Sequence, residues 1–326
     1  KLNGTVEYFS RTTSDLLYSK DVPLSSGTPT GMYPVNVGSI LNSGVEVTLG
    51  GNIINTKNVQ WDWNFNISHY KNKILSLDES VSEEGIKGSY YIYKVGGSLY
   101  ESYIRKFAGV DPETGKGLYY KKVLDENGKW TGEVETTDVF SKADQFENGS
   151  ILPKVYGGFG TTLRAYGFDF SVQLAYQAGG KFYDGTYQAL MHTSSATGMA
   201  WHKDVLNAWT PENPNTNIPR LDGDTSVGQT AVDCYFISSD YLSVNSVTIG
   251  YSFPKKILDK IHMSKLMLYL SAENLWTWSP MHKYTKDFDV VTVCYGSDSD
   301  ISDGNGGDGY NYPTMRTISF GLQIEF

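Results

Sequence analysis

The feature that most limits how this chain can fold is a two-residue alternation of apolar and polar side chains. In its last twelve residues, MRTISFGLQIEF, every second side chain from Ile318 to Phe326 is apolar, and those between are small or polar. The segments WDWNFNIS and FDFSVQLAYQ follow the same rule. Because successive side chains of a strand point to opposite faces, each segment predicts a strand with one apolar and one polar face.

The alternating segments are long as well as numerous. A tilted strand needs about 9–11 residues to cross a bilayer, whereas strands of soluble proteins usually have about five or six. A change of phase near Asn245 and Ser246 predicts a β-bulge in one of them. The sequence predicts about ten strands, at residues 2–10, 42–54, 59–72, 98–109, 117–123, 154–165, 167–179, 239–253, 265–277 and 315–326.

The connections between these strands alternate in length. The short ones are residues 55–58, 110–116, 166 and 254–264, and the long ones are residues 11–41, 73–97, 124–153, 180–238 and 278–314. Short turns at one end and long loops at the other are typical of an outer-membrane barrel. The predicted fold class is therefore an all-β, transmembrane antiparallel β-barrel. Its long loops are expected outside the cell, and its C-terminus in the periplasm. Polar-face residues are expected to line the lumen: Asn64, Asp169, Gln173 and Glu273.

Composition agrees with many strands and excludes some partners. Aromatic residues make up 14% of the chain, including 24 tyrosines, and 34 glycines accompany 11 prolines. The net charge of −9 offers no basic face for phosphates, so no nucleic-acid partner is expected. No run of apolar residues approaches the roughly 18 that a membrane helix requires.

Several blocks of the sequence together resemble a known family. They are YFSRTTSDLLYS, VNVGSILNSGVEVTLGGNII, WDWNFNISHYKNKILSL, FAGVDPETGKGLYY, LPKVYGGFGTTLRAYGFDFSVQLAYQAGG, NAWTPENPNTNIPRL, SSDYLSVNSVTIGYSFPKKIL and LYLSAENLWTW. In this order they are similar to the SusC/RagA-type TonB-dependent transporters of the outer membrane. The resemblance implies that residues 1–326 are the C-terminal part of a larger, 22-stranded barrel. The plug domain and the segment that TonB grips are then absent from this chain.

The resemblance also implies a function and its partners. Such transporters import oligosaccharides, or peptides in the RagA-like members, through the outer membrane of a Gram-negative bacterium. A SusD-like surface lipoprotein closes over the barrel as a lid, TonB supplies energy through the plug, and outer-membrane lipid surrounds the wall. The final strand resembles the signal read by the barrel assembly machinery, which would be carried by Phe320, Leu322, Ile324 and Phe326.

Signals for catalysis and for metals are weak. The sequence has no nucleophile elbow, no HExxH, no P-loop and no dinucleotide fingerprint, so no enzyme and no cofactor are expected. Four aspartates in the segment SDSDISDGNGGDG could hold calcium, but their spacing is one residue off an EF-hand loop and the closing glutamate is missing. They are Asp298, Asp300, Asp303 and Asp308. Cys234 and Cys294 could form one disulfide or stay unpaired.

The long loops carry the candidate substrate contacts. Sugars stack on aromatic faces and bond to carboxylates and amides, and exposed aromatic side chains at this density suggest contact with a ligand or a partner. Packing of the loops on themselves would explain the same residues. The candidates are Tyr183, Tyr187, Trp201, Trp209, Tyr284, Tyr310, Tyr312 and Asp298.

Two other interpretations remain open at the level of sequence. The first is a secreted β-rich protein that binds or hydrolyses glycans, whose apolar faces would pair with each other in a soluble core. The second is a self-sufficient small barrel. Fractionation separates the first from an importer, because an importer stays in the outer membrane, and heat-modifiable migration of the 326-residue chain alone would favour the second.

Overall fold

The fold consists almost entirely of antiparallel strands. A computed structural model describes residues 1–21, 25, 27, 32–36, 38–77, 85–87, 90–191, 200–221, 232–280 and 314–326. No helix in these ranges is long and apolar enough to cross a membrane. The helices there are α1 Gly185–Leu190 and α2 Lys255–Leu258, with 3-10 turns at Phe140–Lys142, Lys203–Asn207, Asp233–Tyr235 and Asp259–Ile261.

The strands are numbered in chain order over the described residues. They are β1 Leu2–Thr13, β2 Leu17–Asp21, β3 Met32–Asn36, β4 Gly38–Asn55, β5 Val59–Leu77, β6 Ile86–Lys87, β7 Ile92–Tyr93, β8 Glu101–Arg105, β9 Phe107–Val110, β10 Gly117–Leu124, β11 Trp130–Thr137, β12 Gln145–Ser150, β13 Val155–Ala165, β14 Phe168–Ala178, β15 Lys181–Tyr183, β16 Phe236–Ser238, β17 Tyr241–Ser252, β18 Lys265–Trp278 and β19 Thr317–Glu325.

Eight of these strands form one large antiparallel sheet, which we call the wall. Its order is β1-β4-β5-β13-β14-β17-β18-β19, so neighbours in space are also successive wall strands in the chain. This up-and-down order is what an antiparallel barrel requires, and it confirms the predicted all-β fold class. At 18 and 19 residues, β4 and β5 are about twice as long as a bilayer crossing needs.

The register of the wall aligns apolar residues with apolar residues across the strands. One row that crosses six strands consists of Trp61, Leu163, Phe170, Ile249, Leu270 and Phe320. The adjacent row, on the opposite face, consists of Asp62, Thr162, Ser171, Thr248, Ser271 and Ser319. The alternation seen along each strand is therefore also consistent across the sheet, which gives the wall one apolar and one polar face.

The predicted β-bulge is confirmed. In the pairing of β17 with β14, Gln173 faces Ser246 and Leu174 faces Val244, so Asn245 has no partner. The register with β18 shifts at the same place, where Val244 faces Trp276 and Ser246 faces Glu273. A bulge of this kind leaves an extra residue unpaired and bends the strand.

Two of the ten predicted wall strands were placed wrongly. Residues 98–109 and 117–123 do form strands, but β8 pairs with β12, and β10 lies between β9 and β11, in small sheets apart from the wall. The predicted short turn at 110–116 is therefore a hairpin turn inside one long connection, residues 78–154, between β5 and β13. Period-two patterning marks a strand but does not say which sheet the strand joins.

With this correction, the connection lengths still alternate around the wall. Short connections follow β4, β13 and β17, and long ones follow β1, β5, β14 and β18. Because the strands are antiparallel, all the short connections lie at one end of the wall, together with Leu2 at the start of β1 and Glu325 at the end of β19. The strand ends that the long connections join lie at the other end of the wall.

Two of the long connections fold together into one compact unit, which we call the loop domain. It comprises the described parts of residues 78–154 and 179–240. Its core is largely aromatic and draws residues from both connections: Ile104, Tyr119, Ala143, Tyr183, Val232 and Tyr235. Main-chain pairing of Arg105 with Val232 also joins the two connections.

The loop domain is tied directly to the long-loop end of the wall. In β5 the amide of Ile74 donates to the carbonyl of Gly97 at 2.8 Å, and the amide of Gly96 donates back to Ile74 at 2.9 Å. The Asn72 side chain donates to Asn42 Oδ1 and accepts from the amide of Leu99, both at 2.8 Å. The C-terminal part of β5, which lies at the long-loop end of the wall, is therefore hydrogen-bonded to the loop domain.

Candidate functional site

The apolar face of the wall is exposed, which is the reverse of a soluble protein. Large apolar side chains of the row described above are exposed, among them Phe170, Ile249, Leu270 and Phe320. Aromatic rings gather near both ends of this face. The ring centres of Phe168 and Tyr251 lie 4.6 Å apart near the short-turn end. Trp276 and Trp278 are exposed near the long-loop end. Aromatic girdles around an apolar band are typical of a lipid-facing surface.

The four residues of the predicted assembly signal lie on this face. Phe320, Leu322, Ile324 and Phe326 are all exposed, the terminal phenylalanine to 88%. The first three belong to β19, which pairs with β18 on one side and with no other strand among the described residues. Recognition of this strand by the barrel assembly machinery stays a prediction.

The polar face carries a small charged cluster near the short-turn end. The guanidinium of Arg164 on β13 lies 3.7 Å from Asp62 on β5 and 3.3 Å from Asp169 on β14. The side-chain amide of Asn52 donates a hydrogen bond to the other carboxylate oxygen of Asp62. These contacts link four neighbouring strands on the face that a barrel turns toward its lumen.

The predicted substrate contacts fall into four groups. Trp201 is 50% exposed in the loop domain and is available to a ligand. Tyr187 is half-buried, with its hydroxyl donating to Asp204 at 3.0 Å and its ring packed against the core. Tyr183 and Trp209 have packing roles, described below. The remaining four lie outside the described residues: Tyr284, Tyr310, Tyr312 and Asp298.

The burial of Tyr183 contradicts the prediction that this residue contacts substrate. Only 1% of its surface is exposed, and its ring packs against Tyr90 at 4.7 Å and Phe236 at 5.2 Å. Its hydroxyl donates to Gln188 at 2.7 Å, and burial raises its pKa. The ring therefore fills the core of the loop domain and presents no face to a ligand.

Trp209 joins two distant segments of the loop domain. Its indole Nε1 donates to the carbonyl of Pro112 at 3.1 Å, and its ring lies against Gly115 in the hairpin turn between β9 and β10. Arg220, from the same segment as Trp209, donates to the carbonyl of Thr114 at 3.1 Å. The half-buried indole thus fixes residues 200–221 to the hairpin turn of residues 111–116.

This contact makes Gly115 difficult to replace. Its φ is +72°, and a Cβ added there would lie 2.4 Å from the Trp209 ring. Gly128, in the next hairpin turn, has a similar φ of +77° but nothing within 4 Å. We expect Gly115→Ala to destabilise the loop domain by about 2–3 kcal/mol and Gly128→Ala by only about 1 kcal/mol. In both variants alanine must adopt a positive φ, but only the new methyl group at residue 115 clashes with the Trp209 ring.

Hydrogen exchange of residues 200–221 measures this difference. Faster exchange in Gly115→Ala than in Gly128→Ala is the expected result. Equal exchange in the two variants would mean that Trp209 does not depend on the close approach at Gly115.

Asp233 forms a second link between the two connections. Its Oδ1 accepts the amide of Phe107 at 2.8 Å, although the two residues lie 126 positions apart. Burial raises the pKa of the Asp233 carboxyl, which this amide and the charges of Lys106 and Lys181 partly offset. The carboxyl of Asp233 thereby orders the first residues of β9.

The possible disulfide and the possible calcium site stay predictions. Cys234 is exposed, while Cys294 lies outside the described residues. Asp298, Asp300, Asp303 and Asp308 also lie outside them. Within the residues that the structure describes, no group of three or more histidine, cysteine or acidic side chains could hold a metal ion.

One exposed aromatic residue was missed at the level of sequence. Trp130 begins β11 and is 45% exposed, with Lys122 of β10 above its ring. The segment NGKWTGEVE fell within a predicted long loop, so its hairpin was not recognised. The turn residues Asn127 and Gly128 followed by alternation in WTGEVET are the signal that could have found it.

Curated relatives match the whole chain. TonB-dependent receptor P26 of Formosa agariphila is 28% identical over 99% of the chain, and TonB-dependent receptor P3 of the same organism is 26% identical over all of it. TonB-dependent receptor SusC of Bacteroides thetaiotaomicron is 23% identical, again over the whole chain. The chain spans about a third of the length of these relatives. No family model matches it.

Solved structures share the fold. A structure described as the RagAB peptide transporter superposes over the whole chain with a TM-score of 0.79 at 24% identity. The RagAB peptide importer in its "open-open" state superposes with a TM-score of 0.75 at 22% identity. Each match covers 33% of the longer chain. Along its full length, this chain is therefore similar in sequence to TonB-dependent receptors, SusC among them, and similar in fold to the RagAB structures.

Proposed function

We propose that this chain supplies wall strands and external loops to an outer-membrane importer of the SusC type. The importer moves oligosaccharides into the periplasm, with a SusD-like lipoprotein as its lid and with energy delivered by TonB. The observation that carries the proposal is the exposed apolar face of the wall, together with the row of polar residues on its opposite face. A soluble glycan hydrolase or adhesin would bury that face.

The ends of the wall suggest its orientation. Outer-membrane barrels keep short turns in the periplasm and long loops outside. The loop domain would then lie outside the cell, and the turns after β4, β13 and β17 would face the periplasm, together with Lys1 and Phe326. The polar face, with Arg164 between Asp62 and Asp169, would line the lumen beside a plug.

The two outer strands of the wall support membership of a larger barrel. Among the described residues, β1 pairs only with β4, and β19 pairs only with β18. An unpaired strand edge is not tolerated in lipid, because its amides and carbonyls would lack partners. Further strands, from the same or another polypeptide, would close the barrel, as the greater length of the relatives suggests.

A peptide importer is the second candidate. The RagAB structures, which share the fold, are described as a peptide transporter, and peptides also stack on aromatic side chains. The exposed indoles of Trp130 and Trp201 favour a saccharide, since a flat apolar ring suits the C–H face of a pyranose. The two candidates differ in substrate but agree on the barrel, the lid and the use of TonB.

Uptake by intact cells tests the proposal. A strain that lacks the complete transporter gene is compared with a strain in which the gene is restored, using fluorescent oligosaccharides and fluorescent oligopeptides of equal size. We expect oligosaccharide uptake only in the restored strain, and its loss when TonB is removed.

Other outcomes are equally informative. Uptake of peptides in place of sugars would favour the second candidate. Equal uptake by both strains, or uptake that persists without TonB, would contradict the proposed importer. Recovery of the chain in a detergent-free soluble fraction would restore the secreted glycan-active protein as the better interpretation.

A further inference from the structure

Two lysine side chains of the loop domain converge on one aromatic ring. The ammonium of Lys122 lies 5.1 Å from the ring centre of Phe146, and that of Lys106 lies 5.7 Å from the same centre. Lys122 also lies 5.4 Å from the ring centre of Trp130, which meets Phe146 edge-on at 6.0 Å. We call this group of four residues the lysine–aromatic corner.

The two lysines of the corner form no ion pair within 4 Å with a carboxylate of the described residues. Other lysines of the loop domain do have such partners: Lys94 lies 3.0 Å from Glu147, Lys116 lies 2.7 Å from Asp138, and Lys121 lies 2.8 Å from Glu135. No ion pair within 4 Å joins Lys106 or Lys122 to an acid in the described part of the chain.

Two acids bonded to the backbone beside these lysines do not form ion pairs with them. The carboxylate of Asp144 accepts the backbone amide of Lys122 at 2.7 Å, and that of Asp233 accepts the amide of Phe107 at 2.8 Å. Asp233 interacts with the charge of Lys106 only at longer range. The rings of Phe146 and Trp130 offset part of the cost of bringing two cations together, but they carry no net negative charge.

An apolar platform borders these two cations. Trp130 is 45% exposed, and Leu124, its partner across the hairpin, is exposed as well. Val134, which faces Lys122 across the same hairpin, is also exposed. The Trp130 indole is held in place because its Nε1 donates to the carbonyl of Glu133 at 2.8 Å. A fixed, flat apolar surface beside two ammonium groups suits a ligand that combines a ring with an acid.

We infer that the lysine–aromatic corner binds an acidic oligosaccharide, with a sugar ring against Trp130 and its carboxylate or sulfate between Lys106 and Lys122. This inference rests on the proposed import of oligosaccharides and gives it a substrate class. The anion supplies the charge that the corner lacks, and the indole supplies the contact with the C–H face of the sugar. Neutral sugars gain only the second of these interactions.

Binding by the complete transporter complex, purified in detergent from its native membrane, tests the inference. The first probe is trigalacturonate, and its methyl ester is the neutral probe with the same backbone. A sulfated galactose disaccharide separates sulfate from carboxylate as the source of the anion. We expect the wild-type complex to bind at least one acidic probe about tenfold more tightly than the methyl ester, and less tightly as salt is raised.

Matched variants assign this preference to the corner. Lys106→Met combined with Lys122→Met should lose the preference for the acid and keep the affinity for the methyl ester. Lys121→Met changes a neighbouring lysine that is already paired with Glu135, and it should behave as wild type. Trp130→Ala should weaken the acidic and the neutral probe alike. Unchanged heat-modifiable migration shows that each variant is folded.

Several results would overturn the inference. Equal affinity of the wild-type complex for the acidic probes and the methyl ester would do so, as would a double lysine variant that binds like Lys121→Met. Tighter binding of triglutamate than of either acidic sugar would replace the saccharide by an acidic peptide. Uptake of any oligosaccharide, acidic or neutral, in these cases leaves the proposed importer standing, whereas absence of all oligosaccharide uptake from wild-type cells contradicts the proposed oligosaccharide importer itself.

Discussion

Replacing Leu270 by arginine is expected to prevent stable assembly of the wall in the outer membrane, whereas Ser271→Arg, one residue further along β18, is expected to be tolerated. Leu270 lies between Ile249 and Phe320 in the apolar row and is exposed. If that face contacts lipid, an arginine there costs about 2–4 kcal/mol near the bilayer centre. Ser271 faces the opposite side, where Thr248 and Ser319 are its neighbours.

The measurement is heat-modifiable migration of the full-length transporter in outer membranes, combined with urea unfolding in lipid vesicles. Leu270→Arg should lower both the folded fraction and the free energy of unfolding, and Ser271→Arg should change each by much less. A separate Leu270→Ala variant distinguishes the effect of losing apolar area from the effect of introducing a charge. If Ser271→Arg proved the more harmful of the two arginine variants, the assignment of the faces would be inverted and the apolar row would not contact lipid.

The wall could be predicted from sequence because its pattern is long and uninterrupted. In β14 and β19 every second side chain is apolar over nine or more residues, and a one-residue slip would exchange the two faces completely. The bulge at Asn245 was visible for the same reason, as a change of phase in a regular pattern. The long alternation in these strands therefore predicts both the strand and its two faces without knowledge of its neighbours.

The loop domain could not be predicted in the same way, because its strands are short and its partners are distant in sequence. β8 and β9 have five and four residues, too few to separate a wall strand from a strand in a small sheet. Likewise, nothing local distinguishes Tyr183 from Trp201. The first is buried by Tyr90 and Phe236, whereas the second is left exposed. The corner formed by Lys106, Lys122, Trp130 and Phe146 depends on four separate segments.

The second large effect concerns the loop domain, whose stability depends on a buried aromatic core, whereas the wall is held by pairing between its own strands. Tyr183→Ala is expected to destabilise the loop domain by about 3–5 kcal/mol, because it removes a fully buried ring from the aromatic core. Tyr183→Phe removes only the hydroxyl that donates to Gln188 and should cost about 1 kcal/mol. The wall should still form in both variants, since its strands pair with each other and its apolar face needs no loop residue.

Limited proteolysis of intact cells tests this expectation, since the loop domain is proposed to lie outside. Tyr183→Ala should expose new cleavage sites within residues 90–191 and 200–221 while heat-modifiable migration of the barrel is retained. Trp201→Ala, which truncates an exposed indole, is the matched control and should leave the cleavage pattern unchanged. Loss of the folded barrel in Tyr183→Ala would show instead that the wall and the loop domain fold as one cooperative unit. In that case the contacts of Asn72 and Ile74 with the loop domain would be as important to the wall as its own register.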